Sequence, residues 1–148
     1  SGERTPHNDA AMRGAFDGLG PDTGVDGLTQ AVIEGVAFAF ADCRDALGGL
    51  TRATAVGGGS RSRYWLTLMA TVLNVPIDVP ADGDFGAAFG AARLGLIAAT
   101  GADPIATCAP PRMTATIDPV HALAPTFADA HASWRRLYPA LAGEVARG

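Results

Sequence analysis

An α/β domain is what this chain predicts, and three observations predict it. A short β-leaning run, Thr51 to Val56, ends in Gly57-Gly58-Gly59. A helical pattern follows, with Trp65, Leu68, Met69, Val72 and Leu73 at three- and four-residue steps. A second short run, Val75 to Val79, is bounded by Pro76 and Pro80. Strand, helix, strand at this spacing makes a parallel pair joined by a right-handed crossover.

The elements follow in chain order. Residues 1–27 are rich in Gly, Pro, Asn and Asp and read as an extended entry segment. From about Gly27 to Leu47 the pattern is helical, with Leu28, Val32, Gly35, Ala39 and Cys43 on one face and Ile33, Val36 and Phe40 on the next. A helix apolar on two sides is expected inside a layered core. Gly48-Gly49 ends it. Ser60 is placed to cap the helix after the glycines. Asp82 and Asp84 favour the start of a third helix, about Phe85 to Ala99, whose small residues Gly86, Gly90 and Ala91 allow close packing against the glycine turn or its helix. Pro104 to Pro119 reads as loop. A last helix spans about His121 to Val145, with Phe127, Ala130, Trp134, Leu137 and Leu141 on one stripe and Pro125 and Pro139 limiting its regularity.

Composition bounds the function. At 148 residues the chain suits one domain, and 48% hydrophobic against 18% charged residues is a globular balance. A net charge of −4 argues against a nucleic-acid surface. Cys43 and Cys108 show no disulfide framework and read as free thiols of a reducing compartment. No Cys or His spacing suggests a structural metal: His7, His121 and His131 are scattered. Phe85 to Gly101, the longest weakly polar stretch, carries Arg93 and is too short to span a bilayer. The polar opening without an initiating Met reads as mid-protein, so the chain is expected to be a piece of something larger.

The glycine turn carries the chemistry. A strand that passes through glycines into a helix start gathers backbone N–H groups at the positive end of a helix dipole, which suits a phosphate. The competing reading, a tight turn and nothing more, weighs about the same. No Gly-Lys-Ser/Thr follows, so this is not a P-loop; Ser62 stands where a dinucleotide fingerprint needs its third glycine, although Asp78 lies where a ribose-binding acid would. Glu34, alone among apolar neighbours, must be paired if buried; a tie to the entry segment through Arg4 or Arg13 is favoured over catalysis. His7 and Asp9 are open to two readings, substrate contact or turn stabilisation. Trp134, Arg135, Arg136 and Tyr138 read as core anchors beside solvated arginines.

Four blocks, in order, resemble the carboxy-terminal domain of xylulokinases, carbohydrate kinases of the group that includes glycerol kinase and ribulokinase. They are Ser1-Gly-Glu-Arg-Thr-Pro-His-Asn-Asp9 with Arg13-Gly14 and Gly18-Leu19, then Ala31-Val-Ile-Glu-Gly-Val-Ala37, then Gly57-Gly-Gly-Ser-Arg-Ser-Arg-Tyr-Trp65, then Asp84-Phe-Gly-Ala-Ala-Phe-Gly-Ala-Ala-Arg-Leu94. Trp134-Arg-Arg-Leu-Tyr138 resembles the closing helix. The resemblance implies that residues 1–148 are part of an actin-like, ribonuclease-H-like ATPase domain, with ATP in a cleft between two domains. It implies nucleotide contacts at Gly58, Gly59 and Ser60, and places Arg63 where relatives such as glycerol kinase carry an Asn near the adenosine. The implied reaction is MgATP-dependent phosphoryl transfer to D-xylulose in a cytoplasmic enzyme of xylose metabolism. The sugar pocket, the catalytic aspartate and the metal-associated aspartate belong to segments outside this chain, so no catalytic or metal residue is expected within it, and neither is kinase activity. A non-catalytic nucleotide-binding or interaction module, and a Rossmann-type domain using Gly57, Gly59 and Asp78, stand as alternatives. Unpaired strands in such a piece would favour self-association, for instance as a homodimer.

Overall fold

The computed structural model describes residues 2–81 and 86–145. After an irregular entry segment, helix α1 runs Val25–Ala46, with Asp26 in its first turn and Arg44 in its last, both complementing the helix dipole. Its buried residues are Ala37, Phe38, Ala41 and Asp42. That corrects the expected stripe: Val32, Val36 and Phe40 are 53%, 45% and 49% exposed. A helix apolar all round does not reveal which face meets its neighbour, and here the helices at Arg63–Leu73 and Ala124–Arg135 take the Ala37–Ala41 side.

The sheet has the order β1-β2-β3. Strand β1, Ala53–Thr54, pairs parallel with β2, Ile77–Pro80, in the register Ala53↔Ile77 and Thr54↔Asp78. The parallel pair matches the expectation. The third strand does not: β3, Met113–Ile117, runs antiparallel to β2 within a segment expected to be loop, pairing Ile77↔Ile117 and Asp78↔Thr116. Only Ile117 of β3 is buried, so the strand lacks the apolar alternation that would announce it.

Between β1 and β2 lie a 3₁₀ turn, Gly58–Arg61, and α2, Arg63–Leu73. Ser62, not Ser60, caps α2: its Oγ accepts from Trp65 N at 3.2 Å. The helix ends on Asn74 in the left-handed conformation, φ 52° and ψ 41°. Arg44 Nη1 donates to Leu73 O at 3.0 Å and satisfies one terminal carbonyl. Helix α2 is the centre of the core. Leu66, Leu68, Met69, Ala70, Val72 and Leu73 bury against Phe38 of α1, Ile77 and Ile117 of the sheet, with Phe127, Ala130 and Trp134 closing the far side.

Helix α3, Gly86–Thr100, buries no residue, which corrects the expected close packing along its small-residue stripe. Only its first glycine makes a close approach, to Gly57. The expected helix-favouring Asp82 and Asp84, and the expected start at Phe85, lie outside the described residues. A short turn, α4 (Pro104–Thr107), is capped by Asp103. The single expected terminal helix is divided into a 3₁₀ turn at His121–Leu123, α5 at Ala124–Arg135 and α6 at Leu137–Val145. Pro139 explains the division: its ring clashes with the carbonyl four residues back, that of Arg135, where α5 ends.

Candidate functional site

The chain leaves β1 through Ala55, whose N–H donates to Asp78 O at 2.9 Å, and reaches Gly57 at φ 86° and ψ −178°. A side chain there would be strained in any surroundings. Ser60 N and Ser60 Oγ both donate to Gly57 O, at 3.0 and 2.7 Å, and Ser62 N donates to Gly59 O at 3.1 Å. Gly86 approaches from α3: a methyl built on it would lie 3.5 Å from Gly57 N. The amides of Gly58 and Gly59 open the 3₁₀ turn, where a helical turn has no internal acceptor to offer. Both glycines are exposed. A methyl at Gly58 would meet nothing within 4 Å.

The four residues expected to meet a nucleotide therefore lie close together, across the 3₁₀ turn and the first position of α2. Gly58 and Gly59 present backbone to solvent, Arg63 is exposed at the first position of α2, and Ser60 is half-buried. The Ser60 hydroxyl proton is already committed to Gly57 O, so that side chain shapes the turn. An exposed glycine face of this kind fits a phosphate-bearing nucleotide. A magnesium ion finds no matching donor set among the described residues. The one cluster of three possible ligands, Asp42, Asp45 and His131, is already occupied by a cation, because Arg135 Nε lies 2.7 Å from Asp42 Oδ1 and Nη1 lies 3.6 Å from Asp45 Oδ2.

That cluster is the polar feature the sequence did not reveal. Asp42 is 3% exposed, and its Oδ1 contacts both His131 Nε2 at 3.0 Å and Arg135 Nε. It ties α1 to α5, so Arg135, solvent-exposed as expected, is also an ion-pair partner. Trp134 does anchor in the core, 6.0 Å from the Phe38 ring.

Three other expectations change. Asp78 is 7% exposed, and its Oδ1 accepts from Arg52 Nη1 and Thr116 Oγ1, both at 2.6 Å. These bonds, Thr116 first and then Arg52, hold its carboxyl below the usual carboxylate range. Asp78 Oδ1 thus links β2 to β3 and to Arg52, the residue before β1, so this carboxylate is already engaged within the sheet. Glu34 does not pair with Arg4 or Arg13: it accepts from Gln30 Nε2 at 2.5 Å, and Gln30 Oε1 accepts from Tyr64 OH. Arg13 Nη1 instead donates to the carbonyls of Ala10, Ala11 and Met12. Asp9 stabilises its own turn, and both His7 and Asp9 tie the entry segment to Tyr138. Asp9 Oδ1 accepts from Ala11 N and Met12 N, its Oδ2 from Tyr138 OH at 3.3 Å, and the His7 ring stacks on Tyr138 at 3.5 Å. Burial, and then the Asp9 carboxylate, raise the Tyr138 phenol above its ordinary range. Cys43 and Cys108 are free.

Residues 1–99 match the model of the FGGY family of carbohydrate kinases, C-terminal domain. The chain belongs to that family. It is 44% identical over 103 residues to a xylulose kinase of Escherichia coli strain K12, covering 67% of this chain and 21% of that protein. Against a glycerol kinase of Gloeobacter violaceus the identity is 37% over 99 residues, covering 62% and 20%. Among solved structures, a kinase from Brucella ovis titled a "xyloylose kinase" superposes with a TM-score of 0.80 at 56% identity, over 93% of this chain and 29% of that one. A ligand-bound xylulose kinase from Lactobacillus acidophilus gives 0.79 at 26% identity, over 97% and 30%. The chain spans about a fifth of the length of the curated relatives it matches. The α/β arrangement is part of the actin-like, ribonuclease-H-like ATPase fold of these sugar kinases. Among the described residues, no helix is long and apolar enough to cross a membrane.

Proposed function

We propose that this chain is the nucleotide side of a xylulokinase-type sugar kinase, which transfers the γ-phosphoryl group of MgATP to D-xylulose and gives D-xylulose 5-phosphate in the cytoplasm. One observation carries the reading: in a chain so similar to xylulose kinases, Gly58 and Gly59 are exposed to solvent at the start of a 3₁₀ turn, whose leading amides have no acceptor within the turn. Those N–H groups would take the phosphate–ribose end of ATP, and Arg63 would stand toward the adenosine. ATP supplies the phosphoryl group. What this chain contributes is binding and orientation, since transfer also needs a carboxylate to accept the hydroxyl proton and a metal to bridge phosphate charge.

Residues 1–148 form, in this reading, the carboxy-terminal nucleotide-binding part, and the sugar-binding domain lies elsewhere in the kinase. The outer face of α1 supports this. Val32, Val36 and Phe40 stand exposed along an open cavity of about 1120 Å³ shared with the entry segment, an apolar surface that calls for a covering layer. The 148-residue chain should bind ATP weakly and turn over no D-xylulose. Calorimetric titration with ATP and with NAD, beside a coupled kinase assay, tests this: preference for NAD, or turnover of D-xylulose by the chain alone, would refute it. The occupied state of Asp78 speaks against the dinucleotide outcome.

A further inference from the structure

We infer that Trp65 is a positioning residue for the nucleotide turn, holding the exposed Gly58 and Gly59 in a fixed shape. The ligand in this statement rests on the proposed function; the contact itself does not. A methyl built on Gly59 would lie 3.4 Å from both Cδ1 and Nε1 of Trp65, so the indole stands directly beside the Gly59 α-carbon. A methyl at Gly59 would rest against the ring at ordinary van der Waals contact. Gly59 is thus in contact with a neighbouring ring, whereas Gly57 is required by its own backbone angles.

Three contacts close a ring around this point. Ser62 N donates to Gly59 O at 3.1 Å, Ser62 Oγ accepts from Trp65 N at 3.2 Å, and the Trp65 indole returns to Gly59. The first two bonds fix where the indole starts, and the third contact transmits that position to the turn. Trp65 also packs, half-buried, against the core that α2 centres. Core packing is the stiffest part of a folded chain, and an exposed glycine run is among the loosest. Trp65 couples one to the other, so the entropy of ordering the glycines is met largely before a ligand arrives. Without the ring, Gly58 and Gly59 keep their sequence and lose their fixed direction.

Hydrogen exchange and amide chemical shifts of the 148-residue chain test this, with Trp65→Ala and Trp65→Phe as variants and ATP as the probe. In Trp65→Ala without ATP, the amides of Ser60 and Ser62 should exchange at least about fivefold faster than in the parent chain, with core amides such as Val75 much less affected. Trp65→Phe, which keeps a ring against Gly59, should restore most of the protection. With ATP, the shifts of Gly58 and Gly59 should need a several-fold higher ATP concentration in Trp65→Ala and near-parental concentrations in Trp65→Phe. Parental exchange at Ser60 and Ser62 in Trp65→Ala overturns the inference, as does a loosened turn that binds ATP unchanged. If ATP shifts nothing in the parent chain, the nucleotide reading fails, and the exchange rates still decide whether Trp65 holds the turn.

Discussion

Gly57→Ala and Gly58→Ala are neighbouring substitutions of the same kind, and the structure gives them opposite signs. At Gly57 the backbone sits at φ 86° and ψ −178°, a region open to glycine and closed to side-chain-bearing residues. A methyl there would meet nothing within 4 Å, so neither a clash nor a new contact obscures the conformational cost. That cost is of order 1–3 kcal/mol. At Gly58 the added methyl also meets nothing within 4 Å, and the backbone is not at positive φ. Replacing it with Ala restricts the unfolded chain and stabilises the fold by about 0.4–1 kcal/mol. The two variants should therefore stand roughly 1.5–4 kcal/mol apart. Urea titration followed by far-UV circular dichroism reads this as midpoints separated by about 0.75–2 M at a slope of about 2 kcal/mol/M, with the slope unchanged. Equal midpoints, with the Ser60 amide still protected in Gly57→Ala, would refute the conformational argument for this turn.

Other outcomes follow from the same geometry. Asp42→Ala should cost about 3 kcal/mol in urea titration, at the low end for a broken buried pair because Arg135 is half-exposed and keeps Asp45; Asp42→Asn, which retains an acceptor, should cost less. Asp78 makes stability pH-dependent on the acid side. Its folded-state carboxyl titrates below the unfolded one, so its contribution is complete above about pH 4 and disappears as pH falls through the lower, folded value. Thr116→Val removes the leading cause, so its urea midpoint should lie below the parent's at neutral pH and converge with it as the solution is acidified. Leu68→Ala, in the centre of the core, should lose about 2–5 kcal/mol by the same titration.

The part of the fold that carries the site was legible because its local signals agree. Val75 to Val79 between prolines, the Trp65–Leu73 periodicity and the glycine run all point to one strand–turn–helix–strand unit, and that unit is present. The unit's edges were less legible. Ser60 and Ser62 are equally good caps by residue type; the choice fell to Ser62 because Ser60 turns back onto Gly57. Strand β3 gave no signal, since Thr114, Ala115 and Thr116 are exposed and its pairing is dictated by the free edge of β2. On α1 the sequence shows apolar residues all round, and only the partner helices select Ala37, Phe38 and Ala41 as the inner face. Asp42 and His131 lie 89 positions apart, a separation no local pattern reports. The stripe from Phe127 to Trp134 did place α5 on the core, and His131 falls on that stripe as its one polar member.

Titrating the 148-residue chain with ATP, while following the backbone amides of Gly58, Gly59 and Arg63, asks most directly whether nucleotide meets this turn. Progressive, saturable shifts at those amides, absent with D-xylulose alone, are what the geometry predicts. Shifts confined to the entry segment and α1, with the glycine turn silent at saturating ATP, would contradict it.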